Sequence, residues 1–229
     1  MLGMKKTIYQ TVRDRILYLE YSPGQILNEK VLAMEFGISR SPVKDVFNRL
    51  ELEQMVRVIP RTGSMVTEIE FSRIMNVFQV RFEIESFEAG LAEAQFSSKH
   101  IAQMNELNDN CKTLLDQEDK KALAQIDASL RGIIHDAAGN PVLADVSDRL
   151  YSQTFRLWYS VLAKSDWQEE VMAVKKEFEK ILEYFSSNGS NEFRVIRRTQ
   201  LMNHFERLRQ KFLGTSQLAA GSSITNKAP

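Results

Sequence analysis

A chain of 229 residues has room for two domains of ordinary size, and a hydrophobic content of 43% is enough for packed cores. Thirty Lys and Arg are matched by thirty Asp and Glu, which excludes a polybasic tail or a membrane-surface character. No apolar run approaches the roughly 20 residues that cross a bilayer, and the first residues lack the apolar core of a signal peptide. A cytoplasmic protein with no membrane partner is expected.

In chain order, helical periodicity first appears over Tyr9–Leu19. Asn28 is a good N-cap for a second helix, in which Val31, Leu32, Met34 and Phe36 supply apolar positions, and Gly37 suits its C′ position. Ile38 plugs the turn. Ser39 or Ser41 caps a third helix, and Pro42 fits its first turn, where a missing N–H costs nothing. Val43, Val46, Phe47 and Leu50 recur at helical spacing and face inward, leaving Arg40, Lys44 and Arg49 on other faces or at the N-terminal end. Two short β-prone runs follow, Val56–Pro60 and Ser64–Thr67, joined by Arg61, Thr62 and Gly63. This is the layout of a winged helix-turn-helix. Its recognition helix presents N-terminal side chains to base edges and first-turn N–H groups to phosphates. The plainer alternative is a helical hairpin with solvated charges that binds nothing.

The charge is local. Up to Glu70 there are ten Lys and Arg against nine Asp and Glu, but from Ser39 to Arg61 five cations face three anions. Phosphate neutralisation dominates DNA affinity, so binding is expected to be salt-sensitive and to need a homodimer on a double-stranded operator.

These residues carry a resemblance. Pro23-Gly24, Leu27-Asn28-Glu29, Leu32-Ala33, Gly37 through Lys44, Arg49-Leu50-Glu51 and Thr62-Gly63 resemble the N-terminal domain of GntR-family bacterial transcription regulators. The resemblance implies that Arg40 and Lys44 contact bases and phosphates. It further implies that Lys30, Ser39, Ser41, Pro42, Arg49, Arg61, Thr62 and Gly63 stand at or beside other DNA-contacting positions. Lys44 stands where the family more often has Arg, and Lys cannot grip a guanine in the bidentate way.

From Phe71 onward the pattern is helical, with candidate helices at 71–94, 98–116, 120–138, 141–164, 167–186 and 190–212. Breaks fall at Gly139-Asn140-Pro141 and at Ser186 through Ser190. The fold class expected is mainly α: a winged domain over 1–70, an all-α antiparallel bundle over 71–212 that senses an effector and dimerises, and a disordered tail over 213–229. The single cysteine, Cys111, lies in a helical pattern as a small buried apolar group, with a redox sensor the other reading.

Arg81 through Glu85, Ala89 through Ala92, Asp127 through Arg131 and Ala137 through Leu143 resemble the all-helical ligand-sensing FCD domain of the FadR-like branch of these regulators. In many such domains one Asp and three His hold a divalent metal, to which a small organic acid binds. Here Asp127 matches the Asp, Arg131 and Phe178 stand at two His positions, and His204 aligns loosely with the last. Asp127 and His204 alone are too few for a tight metal site, so no cofactor is expected. His135 shares a helix face with Asp127 and Arg131. Either Asp127 and Arg131 form a salt bridge with His135 beside them, or Arg131 takes the metal's place and holds the effector's carboxylate in its planar fork. Arg81 and Arg156 are further cations for the same cavity. The expected effector residues are therefore Arg81, Asp127, Arg131, His135 and His204. No nucleophile–base pair, Gly-rich phosphate loop or HExxH motif is present, so an enzyme is not expected. The reading is a DNA-binding transcription regulator, expected to be a repressor, whose operator affinity is modulated by a small carboxylate metabolite bound in the bundle. Its rivals are a metal-dependent sensor and an architectural DNA-binding protein without an effector.

Overall fold

The computed structural model describes residues 2–187 and 192–221. It is mainly helical, with elements in the order α1 (Leu2–Leu17), β1 (Ile26–Leu27), α2 (Glu29–Glu35), α3 (Arg40–Leu52), β2 (Val56–Ile59), β3 (Gly63–Val66), α4 (Phe71–Glu93), α5 (Ser98–Leu114), α6 (Lys120–Ala138), α7 (Pro141–Leu162), α8 (Trp167–Ser186) and α9 (Phe193–Gly221). Two compact units emerge. One comprises Met1–Val77 with Arg149–Tyr159, the other Phe78–Asp148 with Ser160–Pro229. A stretch of α7 thus packs with the winged unit, which a boundary drawn along the sequence alone does not anticipate.

In the winged unit, Asn28 caps α2 by accepting from the Lys30 and Val31 amides at 2.8 and 3.3 Å. Gly37 follows the helix with φ +63, the left-handed conformation a C′ residue needs. Val43, Val46, Phe47 and Leu50 of α3 are buried against Ile8, Val12 and Ile16 of α1 and Leu32 of α2. Phe155 and Trp158 of α7 join this unit's core, and Tyr18 meets the Phe155 and Tyr159 rings edge-on at 5.6 and 5.3 Å. Two of the residues that supply apolar positions to α2 do not face inward. Val31 is 61% and Met34 74% exposed, while Leu32 and Ala33 are buried. A seven-residue helix packing through one narrow face can bury only that adjacent pair.

The sheet has three antiparallel strands in the order β1-β3-β2. β2 and β3 form the expected hairpin, paired from Val56↔Val66 to Ile59↔Gly63. β1 is an additional strand, pairing Ile26 with Met65 and Leu27 with Ser64. At two residues it is too short to leave a periodic signal. The hairpin turns through Pro60, Arg61 and Thr62, with Arg61 at φ +66 and Gly63 at φ +142.

The second unit is a bundle joined by short connections. α6 buries Leu123, Ile126, Leu130, Ile133, Ile134 and Ala137 along one stripe, and α8 buries Val171, Val174, Phe178, Ile181 and Tyr184 along another. The break between α6 and α7 follows the sequence closely. Gly139 ends α6 at φ +61, Asn140 caps α7 through the Leu143 amide at 3.1 Å, and Pro141 opens it. Cys111 is fully buried and burial pushes its thiol up to about 11, so it carries little thiolate at neutral pH. The break read at Ser186 through Ser190 begins where α8 ends, and residues 188–191 lie outside the described residues. The tail read as disordered from 213 is helical to Gly221, and residues 222–229 lie outside the description.

Gly63 ties the wing to β1. A Cβ there stands 2.5 Å from the Leu27 carbonyl oxygen, backbone that cannot step aside. Gly63→Ala is expected to destabilise the winged unit by roughly 1–3 kcal/mol through strain at this dihedral, read as a lower urea midpoint with the bundle's helical signal retained. An unchanged midpoint would mean the wing relaxes freely.

Candidate nucleic-acid interface and effector site

The N-terminal ends of α2 and α3 and the wing surround a shallow cleft of about 270 Å³. Its walls include Glu29, Arg40, Lys44, Arg61, Thr62 and Gly63. Two separate stretches of sequence, the start of α3 and the wing, thus deliver predicted DNA-contacting residues to one place. Arg40 is 67% exposed at its side chain and reaches Glu29 at 3.6 Å, a loose pair that phosphate can displace. Ser39 takes the N-cap position of α3, yet its hydroxyl makes no capping bond. Ser41 and Pro42 occupy the first turn, where helix N–H groups and dipole favour an anion. Lys30 is exposed on α2. Arg49 is placed differently. Its guanidinium lies 3.7 Å from the Tyr9 ring centre and its Nε donates to Glu53 at 3.2 Å, so it braces α1 against α3 and is absent from the cleft walls. Asn28 and Glu29 line the cleft without having been singled out as contacts.

In the bundle, two of the five expected effector residues, Arg81 and Arg131, converge on a carboxylate that sequence reasoning did not select. Glu85, 3% exposed, accepts from Arg81 at 2.6–2.7 Å, from Arg131 Nη1 at 3.0 Å and from Arg197 Nη2 at 3.0 Å. Arg131 Nη2 donates to Ser147 Oγ at 3.2 Å and to Asp148 Oδ1 at 3.0 Å. His135 Nδ1 stands 2.6 Å from Glu88 Oε1, an ion-pair distance without hydrogen-bond alignment, and its Nε2 lies 3.5 Å from Asp148. Arg197 continues the network to Glu177 at 3.1 Å. Asp127 is half-buried on α6, and its negative charge acts on Arg197 and Glu177. His204 packs its ring 6.3 Å from that of Phe78. Arg156, expected beside them, belongs to the other unit. An i,i+4 spacing could have revealed Arg81–Glu85 and Arg131–His135. Arg197, Glu177 and Asp148 carry no such signal, because only the fold brings them near.

The electrostatics follow from burial opposed by close charge. Burial alone would raise the Glu85 carboxyl, but Arg81, Arg131 and Arg197 hold it well below the usual carboxylate range. Burial would lower His135, yet the close carboxylates of Asp148 and Glu88 carry it up to about 9. Burial likewise works against Asp148, which His135 and Arg131 nevertheless lower to about 2. Glu177 is raised to about 7 by burial, only partly offset by Arg197. His204 is depressed well below the ordinary histidine value by burial and then by the cations around it.

The residues present do not fit a divalent metal. Arg131 is a cation where a ligand would stand, Phe178 is fully buried among apolar neighbours, and three nearby guanidiniums repel a divalent ion. Among the described residues, no three His, Cys, Asp or Glu are grouped as metal ligands. No helix among the described residues is long and apolar enough to cross a membrane.

Comparison with known proteins agrees with this geometry. Residues 4–66 match the family model of bacterial regulatory proteins of the gntR family, and residues 76–192 match that of the FCD domain. The chain is similar to the HTH-type transcriptional repressor RspR of Escherichia coli, 22% identical over 156 residues, 68% of each chain. It is also similar to an HTH-type transcriptional regulator in an unstable DNA locus of Streptomyces ambofaciens, 34% identical over 106 residues. That match spans 46% of this chain and 44% of the relative. The fold matches E. coli McbR/YncC with a TM-score of 0.82 at 17% identity, covering 93% of this chain and all of that one. These relatives are described as transcription regulators and not as enzymes. With an exposed cationic cleft at its wing and a charged core in its bundle, the chain belongs to the GntR family of bacterial transcription regulators, and its C-terminal half is an FCD domain.

Proposed function

We propose that this protein is a cytoplasmic repressor. It binds a double-stranded operator as a homodimer and releases it when a small organic acid enters the bundle. The observation that carries the DNA half is the cleft in which Arg40, Lys44, Arg61, Thr62 and Gly63 meet. The first turn of α3 is the recognition end, Arg40 and Lys44 supply base-edge and phosphate donors, and the wing contributes Arg61. Only ten cations against nine anions lie before residue 71, so a single winged unit has a small phosphate footprint and tight binding calls for two. RspR, similar over two thirds of both chains, is named a repressor.

The effector half rests on Arg131. Its side chain is 5% exposed and holds two carboxylates of opposite character: Glu85, 3% exposed, and Asp148, 60% exposed. Glu85 is the fixed counter-ion that keeps the guanidinium compensated. Asp148 is the replaceable one. An effector carboxylate takes the place of Asp148 on Arg131 Nη2 and His135 Nε2, exchanging an intramolecular acid for a ligand acid of the same charge. Asp148 immediately precedes Arg149, where α7 passes from one unit into the other, so displacing it biases α7.

Arg40→Ala is expected to weaken operator binding by roughly 1–3 kcal/mol per lost base contact and leave the bundle folded. Wild-type affinity at moderate salt, by fluorescence anisotropy, would take Arg40 out of the interface.

For the effector, small carboxylates can be screened by thermal shift. Arg131→Met is expected to weaken the best of them by roughly 1.5–3 kcal/mol, whereas Asp148→Asn tightens it by removing the competitor. Effector binding that is indifferent to both substitutions would leave Arg131 as a structural cation only.

The same network makes stability pH-dependent. Glu177 and His135 both bind protons more tightly folded than unfolded, so each stabilises below its unfolded value and loses that contribution as pH rises. For Glu177 the window runs from 4.5 to about 7 and for His135 from 6.5 to about 9. The melting temperature is expected to fall between pH 6.5 and 9, and His135→Gln should flatten that fall. A slope equal to wild type in the variant would contradict a protonated His135.

A further inference from the structure

We infer that the cavity at the root of the wing is a second ligand site, built for a compact oxyanion, a carboxylate or a phosphate, held by Arg156 with Arg73 and Arg57. This cavity, about 290 Å³, lies wholly within the winged unit, and its walls come from the ends of β2 and β3, the first turns of α4 and the stretch of α7 that packs there. Its volume is at the small end of ligand pockets.

Arg156 is the reason to assign it a ligand. The residue is 5% exposed. Its Nη2 donates to the Thr67 carbonyl at 2.7 Å, the Thr67 hydroxyl at 3.2 Å and the Glu68 carbonyl at 3.3 Å. Its Nη1 is equally buried and has no hydrogen-bond partner among the described residues. A desolvated guanidinium N–H without an acceptor is a costly arrangement. Burial lowers the group to about 10, opposed by the charge of Glu68. Thr67 and Glu68 hold its Nη2 through neutral carbonyls and a hydroxyl, so an acceptor for Nη1 is what the site lacks.

The surroundings suit an oxyanion. Arg73 also lines the cavity, and its Nη2 is held by two neutral amides, Gln153 at 3.0 Å and Gln54 at 3.4 Å. Arg57 adds a third cation from β2. Planar guanidiniums match carboxylate and phosphate oxygens in pairs. Glu68 and Glu70 are in the walls too, so the local excess is one positive charge, which favours one compact anion over a polyanion. Met55, Met65 and Thr67 tie the cavity to the strands that carry the wing, so a bound anion that pulls Arg156 and Arg57 together fixes the wing's seat. This site is separate from the bundle and stands or falls independently of the effector reading there.

The test uses the full-length protein without DNA, titrated by calorimetry with inorganic phosphate and with malonate at constant ionic strength set by chloride. Saturable binding of one probe or both is expected, and the stronger probe names the oxyanion. Arg156→Gln should weaken it at least tenfold. Because Arg156 also supports Thr67 and Glu68, that variant can fail to fold. Arg73→Gln, at an exposed position, then serves in its place: it should keep the wild-type melting temperature and weaken the probe at least threefold. The proposal is overturned if neither probe saturates, or if binding survives unchanged in a folded Arg156→Gln or in Arg73→Gln.

Discussion

One buried carboxylate organises the bundle. Glu85 of α4 accepts from guanidiniums on its own helix, on α6 and on α9, while those cations reach on to Asp148 of α7 and Glu177 of α8. Five of the bundle's helices therefore meet in one connected set of charges. Burying a lone carboxylate costs several kcal/mol, and three close cations are what make this one tolerable. Such networks add little net stability over an apolar core. They are demanding about geometry, since each helix must present its charge at the right depth and rotation, and that is a means of fixing helix register.

The same arrangement joins the helices of the bundle by charge, as a metal would join them by coordination. A divalent ion joins helices by drawing anionic and imidazole ligands inward. Here the polarity is reversed: the central group is an anion and the radiating ones are cations. Arg131 and the fully buried Phe178, at two positions where the family resemblance implies metal ligands, play different parts. The first supplies charge, and the second fills space with an apolar ring. Under the proposed function a small acid suits this design, because Arg131 is a cation already compensated by the buried Glu85.

The helices were legible because each rests on local rules. Asn28, Gly37, Gly139, Asn140 and Pro141 act within one turn of where they sit, and the structure uses every one of them as a cap or stop. The cleft at the wing was legible for a related reason: its residues are few, near in sequence and carried by a recognisable motif. What escaped was long-range. Arg197 and Glu85 are 112 positions apart, and nothing periodic connects them. Arg49 has a packing role that the sequence did not show. Its cation and position suited DNA, but Tyr9, forty residues earlier, lies beneath it as an aromatic face. The two-residue β1 and the membership of 149–159 in the winged unit are likewise consequences of packing that no window of sequence contains.

A regulator of this kind needs an element whose alternatives differ by little energy, so that a small ligand can choose between them. A well-packed apolar core is a poor source of such an element, because any displacement opens a cavity. A carboxylate that is 60% exposed and shared between a buried arginine and a protonated histidine is a better one. Asp148 can leave for water at small cost in solvation, and under the proposed function an incoming acid would restore the charge it leaves behind. Glu85 cannot leave, since its exposure is 3% and three guanidiniums close over it. The network thus divides its anions into one that holds the bundle together and one that can be exchanged. That division, more than the number of cations, is what a carboxylate sensor requires.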